Sequence, residues 1–174
     1  MFPRVLLMGI AVLVALPLHA DDDSKPDDTL SVVQGEWRGT LTYRDYGKPD
    51  KLVKLPTKLY AALSSPNELV LHYVYDDGPG KTVYSYERMK FDFAKGELTW
   101  ISGLSKKSES VSRIIANVQV GDLRRLVFER DSEKGKDQFT TELGGKDFSL
   151  KKEEIDAKGS VLFRNKYEFR RPGA

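Results

Sequence analysis

Gly-Glu-Trp-Arg-Gly-Thr-Leu-Thr-Tyr-Arg-Asp-Tyr, residues 35–46, is the stretch whose reading decides the fold. In an extended chain Trp37, Gly39, Leu41, Tyr43 and Asp45 share one side, with Arg38, Thr40, Thr42 and Arg44 on the other. Period-two alternation of this kind places one face in a core and one in water. The pattern recurs downstream. Val53, Leu55, Thr57, Leu59, Ala61 and Leu63 share a face in 51–63. In 82–93, Val83, Met89, Phe91 and Phe93 oppose Arg88, Lys90 and Asp92; in 161–170, Val161, Phe163, Tyr167 and Phe169 oppose Arg164, Lys166, Glu168 and Arg170.

Turn residues separate these runs about every dozen positions, among them Gly47 to Asp50, Ser64 to Asn67, Asp76 to Gly80, Gly121-Asp122 and Gly144-Gly145. That cadence belongs to an all-β protein. Ten strands are expected: 36–46, 51–63, 69–76, 82–93, 97–102, 111–120, 123–131, 137–143, 147–153 and 161–170. The segment 105–118 is ambiguous. Val111, Ile114, Ile115 and Val118 fit a helical stripe behind Ser108, whereas Ile114, Ala116, Val118 and Val120 fit a strand; the β-branched content favours strand. Consecutive strands joined by short turns imply an antiparallel meander. Closing it into an up-and-down barrel of about eight to ten strands removes the exposed edges. A Greek-key sandwich is the alternative.

The first twenty residues read as a separate object. Arg4, an apolar run from Val5 to Leu18 and a small residue at Ala20 have the layout of a secretory signal peptide cleaved after Ala20. As helix the run reaches only about 21 Å, too short for a roughly 30 Å hydrocarbon core, so no stable membrane anchor is expected. Residues 21–32 open with an acidic, proline-containing segment expected to be flexible, and 33–171 form a single barrel domain. The chain lacks cysteine, which suits export to a bacterial periplasm better than a disulfide-rich extracellular setting. Its formal net charge is +2, without the clustered surplus that nucleic acid binding requires.

Gly35-Glu36-Trp37 at the head of the first strand resembles the Gly-x-Trp opening of lipocalins and related calycin barrels. The resemblance implies that Trp37 closes one barrel end, behind Gly35, with a late basic residue, Arg170 or Arg171, packed over the indole. The chain also resembles the haem-binding nitrobindin-like barrels through Gly35, Trp37 and Gly39. Their third glycine is Leu41 here and their C-terminal haem-ligand histidine is missing, so the barrel is carried over and no cofactor is expected.

Candidate chemistry is sparse. Beyond the leader the sole histidine is His72, which alternates with Val70 and Val74, opposite Leu69, Leu71, Tyr73 and Tyr75. One histidine and no cysteine leave nitrogen and sulfur metal sites without ligands, and Asp76 to Gly80 reads as a hairpin turn, not a calcium loop. Polar residues fall on apparently inward faces at Tyr43, Asp45, Glu87, Arg113, Arg125 and Asn165. Buried charges are costly unless paired, so these lie near a barrel mouth, line a polar cavity, or betray a slipped register. Tyr43, Asp45, Glu87 and Arg113 are the candidate ligand-binding set. With no acid–base or nucleophile constellation, the expected function is non-enzymatic: a periplasmic barrel holding a small, partly apolar ligand in its mouth. The alternative is a filled barrel serving as a structural or interaction module, with a protein partner on its outer surface.

Overall fold

The computed structural model describes residues 28–173; the leader at 1–20 and the acidic stretch at 21–27 lie outside them. All ten expected strands form: β1 (Gly35–Arg44), β2 (Leu52–Ser65), β3 (Glu68–Asp76), β4 (Thr82–Asp92), β5 (Glu97–Ser102), β6 (Ser108–Val120), β7 (Leu123–Ser132), β8 (Gly135–Leu143), β9 (Asp147–Asp156) and β10 (Val161–Arg170). Each pairs antiparallel with its sequence neighbour, and β1 also pairs with β10, from Arg38↔Arg170 to Tyr43↔Asn165, closing a ten-stranded up-and-down barrel. Closure leaves no strand edge to template aggregation. The ambiguous segment is strand β6.

Two tight constraints shape the wall. Gly121, in the two-residue β6–β7 turn, has φ +59°, a backbone state that costs a side chain free energy and glycine little. Gly39 faces the β10 backbone so closely that a Cβ there would overlap the Glu168 carbonyl, so only glycine lets β1 and β10 meet.

The inward faces supply the core: Trp37, Leu59, Leu69, Leu71, Tyr73, Met89, Phe91, Leu98, Leu126, Phe128, Phe148 and Phe169 are all buried. At one end the barrel is plugged. A 3-10 helix, Asp28–Val33, packs against β2 and β8, with Leu30 and Val33 fully buried beside Trp37. The segment expected to be flexible to residue 32 is therefore ordered from Asp28, because two apolar side chains gain more from burial under the indole than the short turn costs to order. Trp37 Nε1 donates to the Val33 carbonyl at 2.6 Å, and its ring meets Phe148 with centroids 6.0 Å apart.

The residue over the indole is Arg171, not Arg170. Phe169 points inward, so strand alternation turns Arg170 outward, where its side chain is 87% exposed beside Asp147. Arg171, just past the strand, folds back to 4.3 Å from the Trp37 ring centroid. Its guanidinium donates to the carbonyls of Gln34, Val32 and Gly145 at 2.9, 2.6 and 2.5 Å. Gly35, at φ +118°, lies beneath it, where a side chain would strike the guanidinium.

The register shifts in three strands, at the end of β2 between Leu63 and Ser65 and within β6 and β10, where the shifts redirect side chains. In β10 the register shifts between Phe163 and Asn165, so the alternation read through 161–170 breaks at Arg164. In β6 it shifts between Ile114 and Ala116. Ser112 is buried opposite Leu98, whereas Val111, Ile115, Val118 and Val120 are 45–55% exposed. The interior beside β6 holds the rings of Trp100, Phe128 and Phe139, with centroids 5.1–6.1 Å apart. Short serines fit against those rings where branched chains would overpack.

Candidate functional site

Exposure along the inward faces rises from the plugged end to the opposite mouth. On β4, Phe91 and Met89 are buried, Glu87 and Ser85 partly exposed, and Val83 is 41% exposed at the rim. On β9, Phe148 and Leu150 are buried while Lys152 and Glu154 are not. The barrel is solid below and hollow above. The opening is a cavity of about 410 Å³ whose apolar wall includes Leu41 and Leu55, with Tyr43, Tyr75, Asn165 and Tyr167 contributing polar atoms. Arg164 stacks over the ring of Tyr46 at its edge, 4.1 Å from the centroid.

Beneath lie two hydrogen-bonded groups, one on β4 and β5 and one joining β3 to β10. Trp100 Nε1 donates to Glu87 Oε2 at 2.9 Å, and the Ser85 hydroxyl lies 3.4 Å from Oε1. The hydroxyls of Tyr75 and Tyr167 pair at 2.9 Å. Tyr73 stacks on Tyr75 (6.0 Å, 8°) and packs against Tyr167 (4.9 Å), yet its fully buried hydroxyl has no hydrogen-bond partner. Burial pushes the Glu87 carboxyl up from 4.5 to about 7, opposed by the Trp100 and Ser85 hydrogen bonds. Burial likewise raises Tyr75 to about 12, and Tyr73 and Tyr167 well above the ordinary phenol value. The phenols are therefore neutral hydrogen-bonding groups at physiological pH.

The far wall carries a second polar group. Asp137 receives Arg130 Nη2 at 3.0 Å and Lys152 Nζ at 2.8 Å, and Arg130 also donates to Ser110 at 2.6 Å. Both cations lie over the Phe139 ring, at 5.3 and 5.7 Å. Asp137, Glu154 and Arg164 border a further recess of about 690 Å³ at the same end.

Of the four expected ligand-binding residues, Tyr43 lines the mouth cavity, and Glu87 is partly buried on the inward face of β4 outside that lining. Asp45 lies beyond the end of β1 and serves a turn, its Oδ1 accepting from the backbone N–H groups of Gly47 and Lys48 at 2.8 and 3.2 Å. Arg113 is turned outward, its side chain 72% exposed and bonded to Glu129 at 2.6 Å. It cannot face the mouth, because its neighbour Ser112 occupies the inward position. Arg125 is also outward, on Glu142 at 2.7 Å, whereas Asn165 lines the cavity. His72 sits on the outer wall between Tyr60 and Tyr84, with centroids 6.3 and 5.9 Å away. The sequence pattern places Tyr73 and Tyr75 on the correct face, with Leu69 and Leu71, and assigns them no part in the binding site. It did not single out Tyr167, Arg130, Asp137 or Lys152. The signal was available in part: Tyr73 and Tyr75 continue the apolar face of Leu69 and Leu71 toward a strand end.

Among the described residues no group of three or more His, Asp and Glu could hold a metal ion, and no helix is long and apolar enough to cross a membrane. No family model and no curated protein matches the sequence. Among solved structures, the chain is similar to the crystal structure of Rv2717c from M. tuberculosis, with a TM-score of 0.60 and 11% sequence identity, over 84% of this chain and 97% of that one. At that identity the likeness concerns the fold. The closed antiparallel barrel, with Trp37 and Arg171 at its plugged end, is consistent with a calycin-like architecture.

Proposed function

We propose that the chain is an exported, lipocalin-like barrel that binds a small, partly apolar ligand in its open mouth and performs no chemistry on it. The observation that carries the proposal is the hollow upper half, a cavity of about 410 Å³ with an apolar wall and a few polar groups, within the size range of small-molecule sites. Tyr43, Asn165 and the Tyr75–Tyr167 pair orient the ligand at the rim, and Glu87 and Tyr73 receive its polar end. Binding is favoured over catalysis because Glu87 is held by an indole and a serine hydroxyl 3.4 Å away, while His72 lies on the outer wall. What supports export, to a bacterial periplasm, is the signal-peptide-like arrangement of residues 1–20.

Native mass spectrometry of the protein purified from its own periplasm tests this. A bound small mass, lost in a Tyr43→Phe, Tyr75→Phe double variant, is expected. An empty barrel that accepts no small molecule would leave the second reading, an interaction module. What favours that reading is the exposed apolar stripe of Val111, Ile115, Val118 and Val120 on the outer face of β6.

A further inference from the structure

Enclosed acids on this barrel hold cations. Glu68 receives Arg88 Nε at 2.6 Å, Glu129 receives Arg113 and Lys136 at 2.6 and 3.2 Å, and Asp137 receives Arg130 and Lys152. Glu87 departs from the pattern. Its partners are the indole of Trp100 and the hydroxyl of Ser85, and no Lys or Arg pairs with it among the described residues.

What surrounds Glu87 instead is aromatic. Trp100 donates to it from β5; Tyr73 of β3 sits opposite Ser85, the next inward residue after Glu87 on β4, with Tyr75 following it and Tyr167 of β10 bonded to Tyr75. The Tyr73 hydroxyl is fully buried, faces the interior and has no partner. A carboxylate without a counter-ion, bonded to an indole N–H on the inward face below the mouth and close to a buried, unpartnered phenol, matches one ligand chemistry. An organic cation gains both the Coulomb attraction of the acid and the quadrupole of each ring. A neutral or anionic ligand gains neither. A phenolic oxygen can accept a hydrogen bond from an ammonium N–H, which would also satisfy Tyr73.

Resting on the reading of the mouth as a binding site, we propose that the ligand carries an amine or quaternary ammonium group. Its nitrogen is seated between Glu87 and the rings of Tyr73, Tyr75, Tyr167 and Trp100, and its apolar body lies against Leu41 and Leu55. Arg130 and Lys152 are held on the far wall by Asp137, which offsets one of their two charges, and neither pairs with Glu87.

The test titrates the mature protein with three probes of similar shape at pH 8: 2-phenylethylammonium, 2-phenylethanol and 3-phenylpropionate. The Trp100 indole N–H resonance reports binding at the acid. The ammonium probe is expected to bind roughly 10- to 100-fold more tightly than the alcohol, the range of a charge-assisted hydrogen bond, with the carboxylate weakest. Glu87→Gln should remove that preference and leave the alcohol's affinity within about twofold. The glutamine keeps an acceptor for the indole, and melting at low pH, where the wild-type acid is neutral, checks that the variant folds. Alcohol or carboxylate binding as tightly as the ammonium overturns the cation inference while leaving the binding site standing. So does a co-purified ligand that lacks an amine nitrogen. Failure of all three probes together with an empty native spectrum overturns both.

Discussion

The guanidinium of Arg171 lies 4.3 Å from the ring centroid of Trp37, with the whole barrel wall between them in the chain. It joins the first strand to the end of the last and ties the 3-10 helix beneath them through the Val32 and Gln34 carbonyls. Arg171→Ala loses the ring contact and leaves acceptors unpaired, and should lower stability by about 1–3 kcal/mol. Trp37→Ala should cost about 3–5 kcal/mol by emptying the plug. Arg170→Ala, one residue away and exposed, should stay within about 0.5 kcal/mol of wild type. Urea midpoints of the three variants check the order, and an Arg170 effect equal to that of Arg171 would contradict it.

Glu87 makes stability depend on pH in a defined direction. Its carboxyl is raised from 4.5 to about 7 in the folded barrel, so between those values the folded protein holds a proton that the unfolded chain has released. Where the folded state binds more protons, stability falls as pH rises. The contribution is fully present below about pH 4.5 and lost as pH climbs through 7, a decline on the order of 1–3 kcal/mol. Tyr73, Tyr75 and Tyr167 titrate too high to share in it. Glu87→Gln should flatten this part of the stability profile and be more stable than wild type at pH 8. Chemical denaturation across this range measures both.

Gly39 should tolerate no side chain. Even Gly39→Ala would drive its methyl into the Glu168 carbonyl and pry β1 from β10 at the closing seam. A loss of about 3 kcal/mol or more is expected, with faster amide exchange along Leu41 to Tyr43 and Asn165 to Tyr167. Unchanged protection in those strands would show that the seam can yield.

Tyr43→Phe and Arg113→Ala should part company in ligand binding. Tyr43 lines the cavity, and removing its hydroxyl should weaken a bound ligand about fivefold to tenfold. Arg113 holds Glu129 on the outer wall, where its removal should leave ligand affinity unchanged and cost at most about 1 kcal/mol of stability. Equal effects on affinity would place the site elsewhere.

Export predicts that the mature protein begins at Asp21, which N-terminal sequencing of the periplasmic fraction reads directly. Recovery of the intact Met1 form from the inner membrane would contradict it.

The alternation around Trp37, Leu59, Leu71, Met89 and Phe169 was legible without coordinates, because a strand's two faces are set by a period of two and water sorts them by polarity. The ten strands follow from it and their order from the short turns between them, whereas the closing role of Trp37 was implied by the resemblance of Gly35-Glu36-Trp37 to lipocalin barrels. What tertiary structure alone decided begins at the bulges and strand ends, where one extra residue inverts every later position. The β6 shift at Ile114/Ala116 and the β10 shift at Phe163/Asn165 carry no local signature. Arg113 was assigned inward because Val111 and Ile115 flank it, yet the interior there belongs to Ser112 and aromatic rings from other strands. Arg171 was left level with Arg170 because a residue past the last strand obeys no alternation; the carbonyls of Val32, Gln34 and Gly145 select it. The acid, the indole and two of the phenols come from the consecutive strands β3, β4 and β5, and Tyr167 of β10 joins them only once the sheet closes. Each was visible as a residue on a face. Their conjunction is a property of barrel radius and register, which pairing across the closed sheet determines and local sequence does not encode.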